Sequence, residues 1–231
     1  MIKFKDLIVP QFNQINPPSC IPACLQEVFG YYKKQISQQK ILASLEHPER
    51  GMAIVQAGFF AKESGFKPIV ITNNIIVFDP TWFSSTNEKL AENLKKRKKF
   101  VDKYNQALID AYIEYLKATG TIKFDSISAN LLKQYLSQNI PIIMEIASTY
   151  LYKKAKSTRP GAFDNALRGE VEGHGVVIAG FNGNKFKIVD PNTKNNPYSK
   201  SGIYWIESNE LLTSFGILEG KSLLLIKNNK I

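Results

Sequence analysis

The start of the first helix is fixed by prolines, and this constrains the fold more than any other feature of the sequence. Pro17-Pro18 disfavours helix before Ser19, Ser19 is a favourable N-cap, and Pro22 is tolerated only within a first helical turn. Apolar residues then recur at helical spacing: Ile21, Cys24, Leu25, Val28 and Tyr32. We therefore predict that Cys20 lies at the N-terminus of a helix held rigidly against a core.

The position of Cys20 has a chemical consequence. The positive end of a helix dipole favours thiolate over thiol, and the thiolate is the nucleophile. The alternative is that Cys20 is a small buried hydrophobic residue, as most free cysteines are, and Cys24 fits that interpretation. Two cysteines one turn apart do not bridge, so we expect no disulfide and a reducing compartment.

A predicted hairpin near the C-terminus carries a histidine and an aspartate. His174 precedes the apolar strand Val176–Phe181, residues 182–184 have the composition of a turn, and a second strand ends at Asp190. His174 is a candidate general base for Cys20, with Asp190 orienting the imidazole. The alternative for His174 is a strand-end histidine that is hydrogen-bonded to the backbone.

The length of the hairpin loop decides whether these two side chains meet. A three-residue loop would pair Phe181 with Lys185 and Val176 with Asp190, leaving His174 and Asp190 as diagonal neighbours on one face. A two-residue Asn-Gly turn would place them on opposite faces. We predict the three-residue loop.

A side-chain amide could stabilise the oxyanion that forms when a thiol attacks an acyl group. Gln14 lies six residues before Cys20, in an irregular stretch able to fold back over the start of the helix. Gln11 is the competing candidate.

Together these segments resemble a known family. Gln14, Ser19-Cys20 and Pro22–Leu25, followed far downstream by Gly173-His174 and Asp190-Pro191, resemble the bacteriocin-processing, double-glycine-type cysteine peptidases and their stand-alone relatives. The resemblance implies a papain-like α+β fold, in which an N-terminal helix carrying the nucleophile packs on an antiparallel sheet. It also implies Cys20 as nucleophile, His174 as base, Asp190 as orienting residue and Gln14 as oxyanion donor.

Three positions depart from the pattern of that family. Ile21 stands where glycine is common, Ser19 replaces an acidic residue, and Gly175 replaces a bulky residue after the histidine. The branched side chain of Ile21 beside the nucleophile predicts a narrowed or blocked approach for substrate. These differences leave the expected triad intact.

The length and hydropathy of the chain set its expected organisation. With 231 residues, 44% of them hydrophobic, we expect a single domain over residues 1–231 with a helical insertion at about 85–118. Ser85 and Glu88 form a capping-box pattern at the start of that insertion. A second helix over about 128–138 should lead into a strand at 142–146, and polar residues 157–172 should form a loop over the site. That loop could gate substrate or be an ordinary surface loop.

The sequence has no apolar signal core at its start and no apolar run near the roughly 20 residues that span a bilayer. We therefore expect a soluble, cytoplasmic protein, with export by a route lacking a cleaved signal left open. His47 has no second histidine at ligand spacing, so we predict no metal and no cofactor.

The net charge of +10 is concentrated in residues 89–103, which carry seven basic and two acidic side chains. The run Lys95–Lys99 could bind an acidic partner, although a solvated helix face is the commoner explanation. The sequence contains no zinc-finger spacing or RNA-binding signature, so nucleic acid is an unlikely ligand.

The predicted function is thiol-dependent cleavage of an amide bond in a peptide or protein substrate through an acyl-enzyme. An acyltransferase would use the same four residues. A different hypothesis is a catalytically inactive binding module of the same fold, in which Ile21 blocks the cleft and the basic helix binds an acidic partner.

Overall fold

The structure, a computed structural model, describes residues 3–228 except for the side chain of Arg50. Its helices are α1 (Cys20–Tyr31), α2 (Gln38–Leu42), α3 (Ile54–Glu63), α4 (Asn87–Arg97), α5 (Lys103–Lys117), α6 (Ala129–Ser137), α7 (Ser148–Leu151) and α8 (Ser208–Ile217). Its strands are β1 (Phe4–Asp6), β2 (Lys67–Thr72), β3 (Thr121–Phe124), β4 (Ile142–Ala147), β5 (Gly173–Asn182), β6 (Lys185–Val189), β7 (Ile203–Glu207) and β8 (Ser222–Lys227).

The strands form one mixed sheet in the order β3-β2-β8-β4-β5-β6-β7, and β1 pairs with β5 outside this path. All neighbours are antiparallel except β2 and β3, which are parallel. Helix α1 packs on β5, and α3 packs on β2 and β8. The predicted α+β fold, with an N-terminal helix on a largely antiparallel sheet, is confirmed.

Helix α1 begins where the prolines require, with Pro22 in its first turn. Pro17–Ser19 forms a 3-10 turn that leads directly into it. The hydroxyl of Ser19 donates to the carbonyl of Asn16 at 2.8 Å and accepts from its N–H at 3.0 Å. Ser19 is the N-cap residue of α1, as predicted, but its hydroxyl closes the preceding turn and makes no capping hydrogen bond to the helix.

The hairpin reaches the predicted register by a different route. Its loop has two residues, with Asn182 opposite Lys185 and Phe181 opposite Phe186, so the predicted pairing of Phe181 with Lys185 is wrong. A β-bulge at Ala179 then inserts one residue into β5, and beyond it Val177 lies opposite Val189. The bulge restores the register that the predicted longer loop would have given.

Two helices, α4 and α5, lie within the segment of about 85–118 for which the sequence predicts helix. The N-cap of α4 is Thr86, whose hydroxyl accepts from the N–H of Lys89, whereas Ser85 donates to the carbonyl of Trp82. The capping residue was thus misplaced by one position. The predicted helix over 128–138 and strand over 142–146 correspond to α6 and β4.

Candidate active site

The structure brings Cys20, His174 and Asp190 together from three elements. Cys20 begins α1 and is partly exposed, whereas His174 near the start of β5 and Asp190 just after β6 are 5% and 0% exposed. Cys20 lies close enough to His174 to act on the charge of its imidazole, and Nε2 of His174 lies 2.8 Å from Oδ1 of Asp190. Because Nε2 faces Asp190, Nδ1 is the nitrogen left for Cys20.

Asp190 is held by more donors than the histidine alone. The hydroxyls of Tyr152 and Tyr204 each donate to Oδ2 at 2.7 Å, and the backbone N–H of Asn192 donates to Oδ1 at 2.8 Å. With His174, four donors surround a fully buried carboxylate. This satisfies the charge and fixes the position of the carboxylate relative to the imidazole.

The electrostatics of the pair favour the charged forms of both groups. Burial opposes the imidazolium, but the Asp190 carboxylate and hydrogen bonds to Asp190 and Cys20 outweigh it and raise the pKa of His174 to about 10. Burial likewise opposes ionisation of Asp190, yet His174 and the two tyrosine hydroxyls hold the pKa of Asp190 below its usual value. An imidazolium next to Cys20 stabilises a thiolate.

The two candidate glutamines occupy different places. The side-chain amide of Gln14 donates to the carbonyls of Asn16 and Pro17 at 3.1 and 3.2 Å, just before α1, while its Oε1 is buried without a partner. Gln11 instead donates to the backbone carbonyl of Asp190 at 3.3 Å. Gln14 therefore lies on the nucleophile side of the site and Gln11 on the Asp190 side.

Ile21 does not stand in the cleft. Its side chain is 2% exposed and packs on Gly175, where a Cβ would overlap its Cδ1. The prediction that Ile21 narrows or blocks access is therefore wrong. Because Gly175 has no side chain, the space beside it is occupied by the side chain of Ile21.

Residues 157–172 form a loop that reaches from the histidine side to the cysteine side. Its ends pair at Ser157 and Glu170, and the N–H of Gly161 donates to Oε1 of Glu172 at 2.9 Å. A Cβ at Gly161 would lie 3.0 Å from the ring of Pro17, so the tip rests on the turn that precedes Cys20. The segment is thus a loop next to the start of α1, and its position over the site stays a prediction.

Sequence reasoning missed Tyr152, Tyr204 and Glu27. A buried aspartate requires donors, and the alternation in β7 turns Tyr204 inward while Trp205 is exposed, which was the available signal for Tyr204.

Glu27 is fully buried on α1: its Oε1 accepts from the N–H of Phe12 at 3.1 Å, and its Oε2 has no partner. Burial raises the pKa of Glu27 well above its usual value. No sequence signal indicated this buried acid.

The remaining cysteine and the basic segment have ordinary structural environments. Cys24 is 0% exposed and both cysteines are free. In α4, Glu92 pairs with Lys89 and Lys96 at 2.9 and 2.7 Å, which neutralises part of the basic run.

Among residues 3–228, no three His, Cys, Asp or Glu side chains cluster in a way that could hold a metal ion. Over the same range, every helix is too short or too polar to cross a bilayer.

Comparisons with known proteins concern the fold and the family of this chain. The chain is similar in structure to a double-glycine motif protease from an AMS/PCAT transporter in complex with the leader peptide, with 16% identity, a TM-score of 0.50, and coverage of 99% of this chain and 100% of that one. It is also similar to xylellain, a cysteine protease from Xylella fastidiosa, with 15% identity, a TM-score of 0.50, and coverage of 100% of this chain and 87% of that one.

A search among curated proteins found no match. The family model of the Peptidase_C39 like family matches residues 7–212, most of the chain. The fold is thus papain-like, and this chain, a cysteine peptidase-like enzyme, belongs to the Peptidase_C39 like family.

Proposed function

We propose that this enzyme cleaves an amide bond of a peptide or protein through a thioester formed on Cys20, with His174 as acid and base and Asp190 as orienting residue. The observation that carries the proposal is the placement of Cys20, at the start of α1, beside His174, whose Nε2 lies 2.8 Å from Oδ1 of Asp190. A cysteine at a helix N-terminus beside an imidazole, with a third group behind it, is the arrangement that activates a thiol.

The proposed reaction has two stages, acylation of Cys20 and hydrolysis of the resulting thioester. The thiolate of Cys20 attacks the carbonyl carbon and forms a C–S bond, and the carbonyl oxygen takes up the charge. His174 gives its proton to the leaving nitrogen as the C–N bond breaks. Water, losing a proton to His174, then attacks the thioester, so that the acid leaves and Cys20 is regenerated. Asp190 keeps the imidazole in place during both transfers.

Gln14 is the proposed side-chain donor to the oxyanion. Its amide nitrogen donates to the carbonyls of Asn16 and Pro17, so it must exchange one of these bonds for the oxyanion. Because Oε1 of Gln14 has no hydrogen-bond partner, the side-chain amide is held only through its nitrogen. Removing a side-chain amide that plays this role in a serine peptidase lowers kcat by roughly 10²–10³-fold.

The proposed class of substrate is a peptide or protein. One solved structure that resembles this chain is a protease in complex with the leader peptide. An acyltransferase would form the same thioester and pass it to an amine, which adding a nucleophilic amine to the assay would reveal.

The test is the rate of alkylation of Cys20 by iodoacetamide from pH 5 to pH 9, measured by mass spectrometry in the wild type and in His174→Ala. Cys24, fully buried, is the internal reference. We expect Cys20 to react well below pH 7 and to lose that reactivity in His174→Ala. Reaction of Cys20 only near pH 8–9 in both proteins would contradict the proposal and favour a binding module without catalysis.

A further inference from the structure

The segment that carries the proposed oxyanion donor, residues 11–16, forms no helix or strand. Its backbone N–H and C=O groups still need hydrogen-bond partners, and an irregular segment is placed only as well as those partners hold it. The position of Gln14 therefore depends on the groups that bond the backbone on either side of it.

The side chain of Gln38 bonds the backbone on both sides of Gln14. Its Oε1 accepts from the N–H of Ile15 at 3.2 Å, and its Nε2 donates to the carbonyl of Asn13 at 2.8 Å. In an extended chain, the C=O of one residue and the N–H of the second residue after it point to the same side, so a single amide group can bond both. Gln38 thus holds this segment as a neighbouring strand would.

Gln38 is itself held firmly. It is 5% exposed, begins α2, and its Nε2 also donates to Oε1 of Gln26 on α1 at 3.0 Å. The oxygen and the nitrogen of the amide are therefore all used in hydrogen bonds, and losing one of them would leave a buried polar group unsatisfied. Through Gln38, the segment before the nucleophile is connected to the helix that carries it.

The other side of the segment is bonded to the loop that carries Asp190. The N–H of Gln14 donates to the carbonyl of Pro191 at 2.9 Å, and Pro191 directly follows Asp190. The hydroxyl of Thr193 donates to Oδ1 of Asn13 at 2.8 Å. The backbone of Gln14 is thus fixed between α2 and this loop, and only rotations within its side chain can move its amide.

The exposure of the side chains agrees with this arrangement. Asn13 and Ile15 are exposed, whereas Gln14 between them is partly buried. Successive side chains of an extended chain point to opposite faces, so the bonds from Gln38 direct Gln14 inward. There the amide of Gln14 bonds the turn that leads into Cys20. A shift of this segment by one residue would turn Gln14 toward solvent.

We propose that Gln38 is a positioning residue for the oxyanion donor: its buried amide bonds the backbone on both sides of Gln14 and so keeps the Gln14 side chain beside the start of α1. The inference rests on the proposed function, in which Gln14 donates to the oxyanion. Gln38 acts through Gln14 and not on the thiol of Cys20.

The test separates attack at a carbonyl from formation of the thiolate. p-Nitrophenyl acetate acylates Cys20 through an oxyanion: the C–S bond forms, the ester C–O bond breaks and p-nitrophenolate leaves. Iodoacetamide alkylates the same thiolate by displacement of iodide, and no oxyanion forms. The rate of the p-nitrophenolate burst, with Cys20→Ala protein as the blank, is divided by the alkylation rate at the same pH. This ratio reports stabilisation of the oxyanion and not the amount of thiolate.

In Gln14→Ala we expect the ratio to fall by about 10²-fold. Gln38→Met keeps the length of the side chain without its hydrogen bonds, and should lower the ratio by about 10-fold or more, because a misplacement of about 1 Å can cost 10²-fold. In the Gln14→Ala background, Gln38→Met should change the ratio by less than about 2-fold, because the group that it positions is gone. Gln106→Met, which removes a glutamine bond to the carbonyl of Val101, is the matched control and should keep the ratio.

A second variant gives a readout that a purely structural role of Gln38 would not move. In Gln38→Glu, the protonated carboxyl group can accept from Ile15 and donate to Asn13 as the amide does, whereas the carboxylate cannot donate. Relative to the wild type, we therefore expect the ratio in Gln38→Glu to recover as pH falls. This variant carries the test if Gln38→Met does not fold.

An unchanged ratio in Gln38→Met, an equal further fall in the Gln14→Ala background, or a ratio in Gln38→Glu that is low at every pH would overturn the inference. Any of these results, with a lowered ratio in Gln14→Ala and low-pH alkylation of Cys20, would leave the proposed function standing. An unchanged ratio in Gln14→Ala would overturn both its role as donor and the inference. Alkylation of Cys20 only near pH 8–9 in the wild type would overturn the proposed function itself.

Discussion

Ile21 and Gly175 share one space: the Cδ1 atom of Ile21 lies where a side chain at position 175 would begin. One residue follows the nucleophile on α1 and the other follows the histidine on β5. The contact therefore sets how closely the helix that carries Cys20 approaches the strand that carries His174. Interiors are packed densely enough that even one methyl group at such a contact is felt.

We expect Gly175→Ala to reduce the free energy of unfolding by about 1–3 kcal/mol, because its Cβ overlaps Ile21. Ile21→Val removes Cδ1 and should cost about 0.5–1.5 kcal/mol. In the double variant the overlap is relieved, so its loss should be smaller than the sum of the single losses. Urea denaturation of the four proteins measures the coupling. Strictly additive losses would show that the two side chains do not compete for this space.

Tyr152 and Tyr204, which both donate to Asp190, should contribute to the free energy of unfolding in a pH-dependent way. Tyr152→Phe and Tyr204→Phe each remove a donor to Oδ2, and hydrogen bonds to charged groups are worth about 1.5–3 kcal/mol. The pKa of Asp190 is lowered in the folded state, so this stability is present above the ordinary value of 3.8 and is lost as pH falls through the folded pKa. The deficit of each variant should therefore be full at pH 7 and should shrink as pH is lowered through the folded pKa of Asp190.

Tyr198→Phe is the matched control for this prediction. Its hydroxyl donates to the backbone carbonyl of Leu151 at 2.8 Å and does not touch Asp190. Its loss of unfolding free energy relative to the wild type, measured by denaturation, should be the same at pH 7 and at pH 3. A deficit for Tyr152→Phe that is equally independent of pH would contradict the assigned role of its hydroxyl.

Local signals in the sequence were sufficient for some elements. Pro17-Pro18 and the apolar spacing after Cys20 fix α1, because both act within a few residues. The register at the open end of the hairpin was also predicted, but its cause was not. The bulge at Ala179 depends on β1, since the N–H of Leu7 donates to the carbonyl of Ala179 at 2.8 Å and Gly180 has no room for a side chain beside Lys5.

The candidate site shows the same division. Cys20, His174 and Asp190 were found because each stands in a recognisable local pattern. Tyr152 reaches Asp190 across 38 residues of sequence, and no pattern near either residue indicates the contact. The fit of Ile21 on Gly175 was misread for the same reason, because the direction of a side chain at a helix start depends on the strand it meets. Packing between distant segments decided each of these points.

The loop over residues 157–172 should control access to Cys20. Glu172→Ala removes the acceptor that holds Gly161, and with it the tip that rests on Pro17. We expect alkylation of Cys20 by a bulky maleimide to become several-fold faster, with little change for the smaller iodoacetamide. Glu170→Ala, an exposed position on the same loop, is the control and should leave both rates unchanged. Equal acceleration for both reagents in Glu172→Ala would indicate general loosening and not release of the loop.

Glu27 should make the enzyme less stable as pH rises. Its pKa is raised in the folded state by burial, so its contribution to stability is complete below the ordinary value of 4.5 and is lost as pH rises through the folded pKa. Glu27→Gln keeps the shape and the acceptor for Phe12 but cannot ionise. We expect the variant to gain stability relative to the wild type as pH increases from 4 to 9, by at most about 1.36 kcal/mol per pH unit. Glu27→Ala leaves the Phe12 N–H without its acceptor and should be about 1–3 kcal/mol less stable than Glu27→Gln at every pH. Parallel stability curves for the wild type and Glu27→Gln would show that Glu27 is ionised in the folded protein, and the backbone at Phe12 would then be held by a charged acceptor.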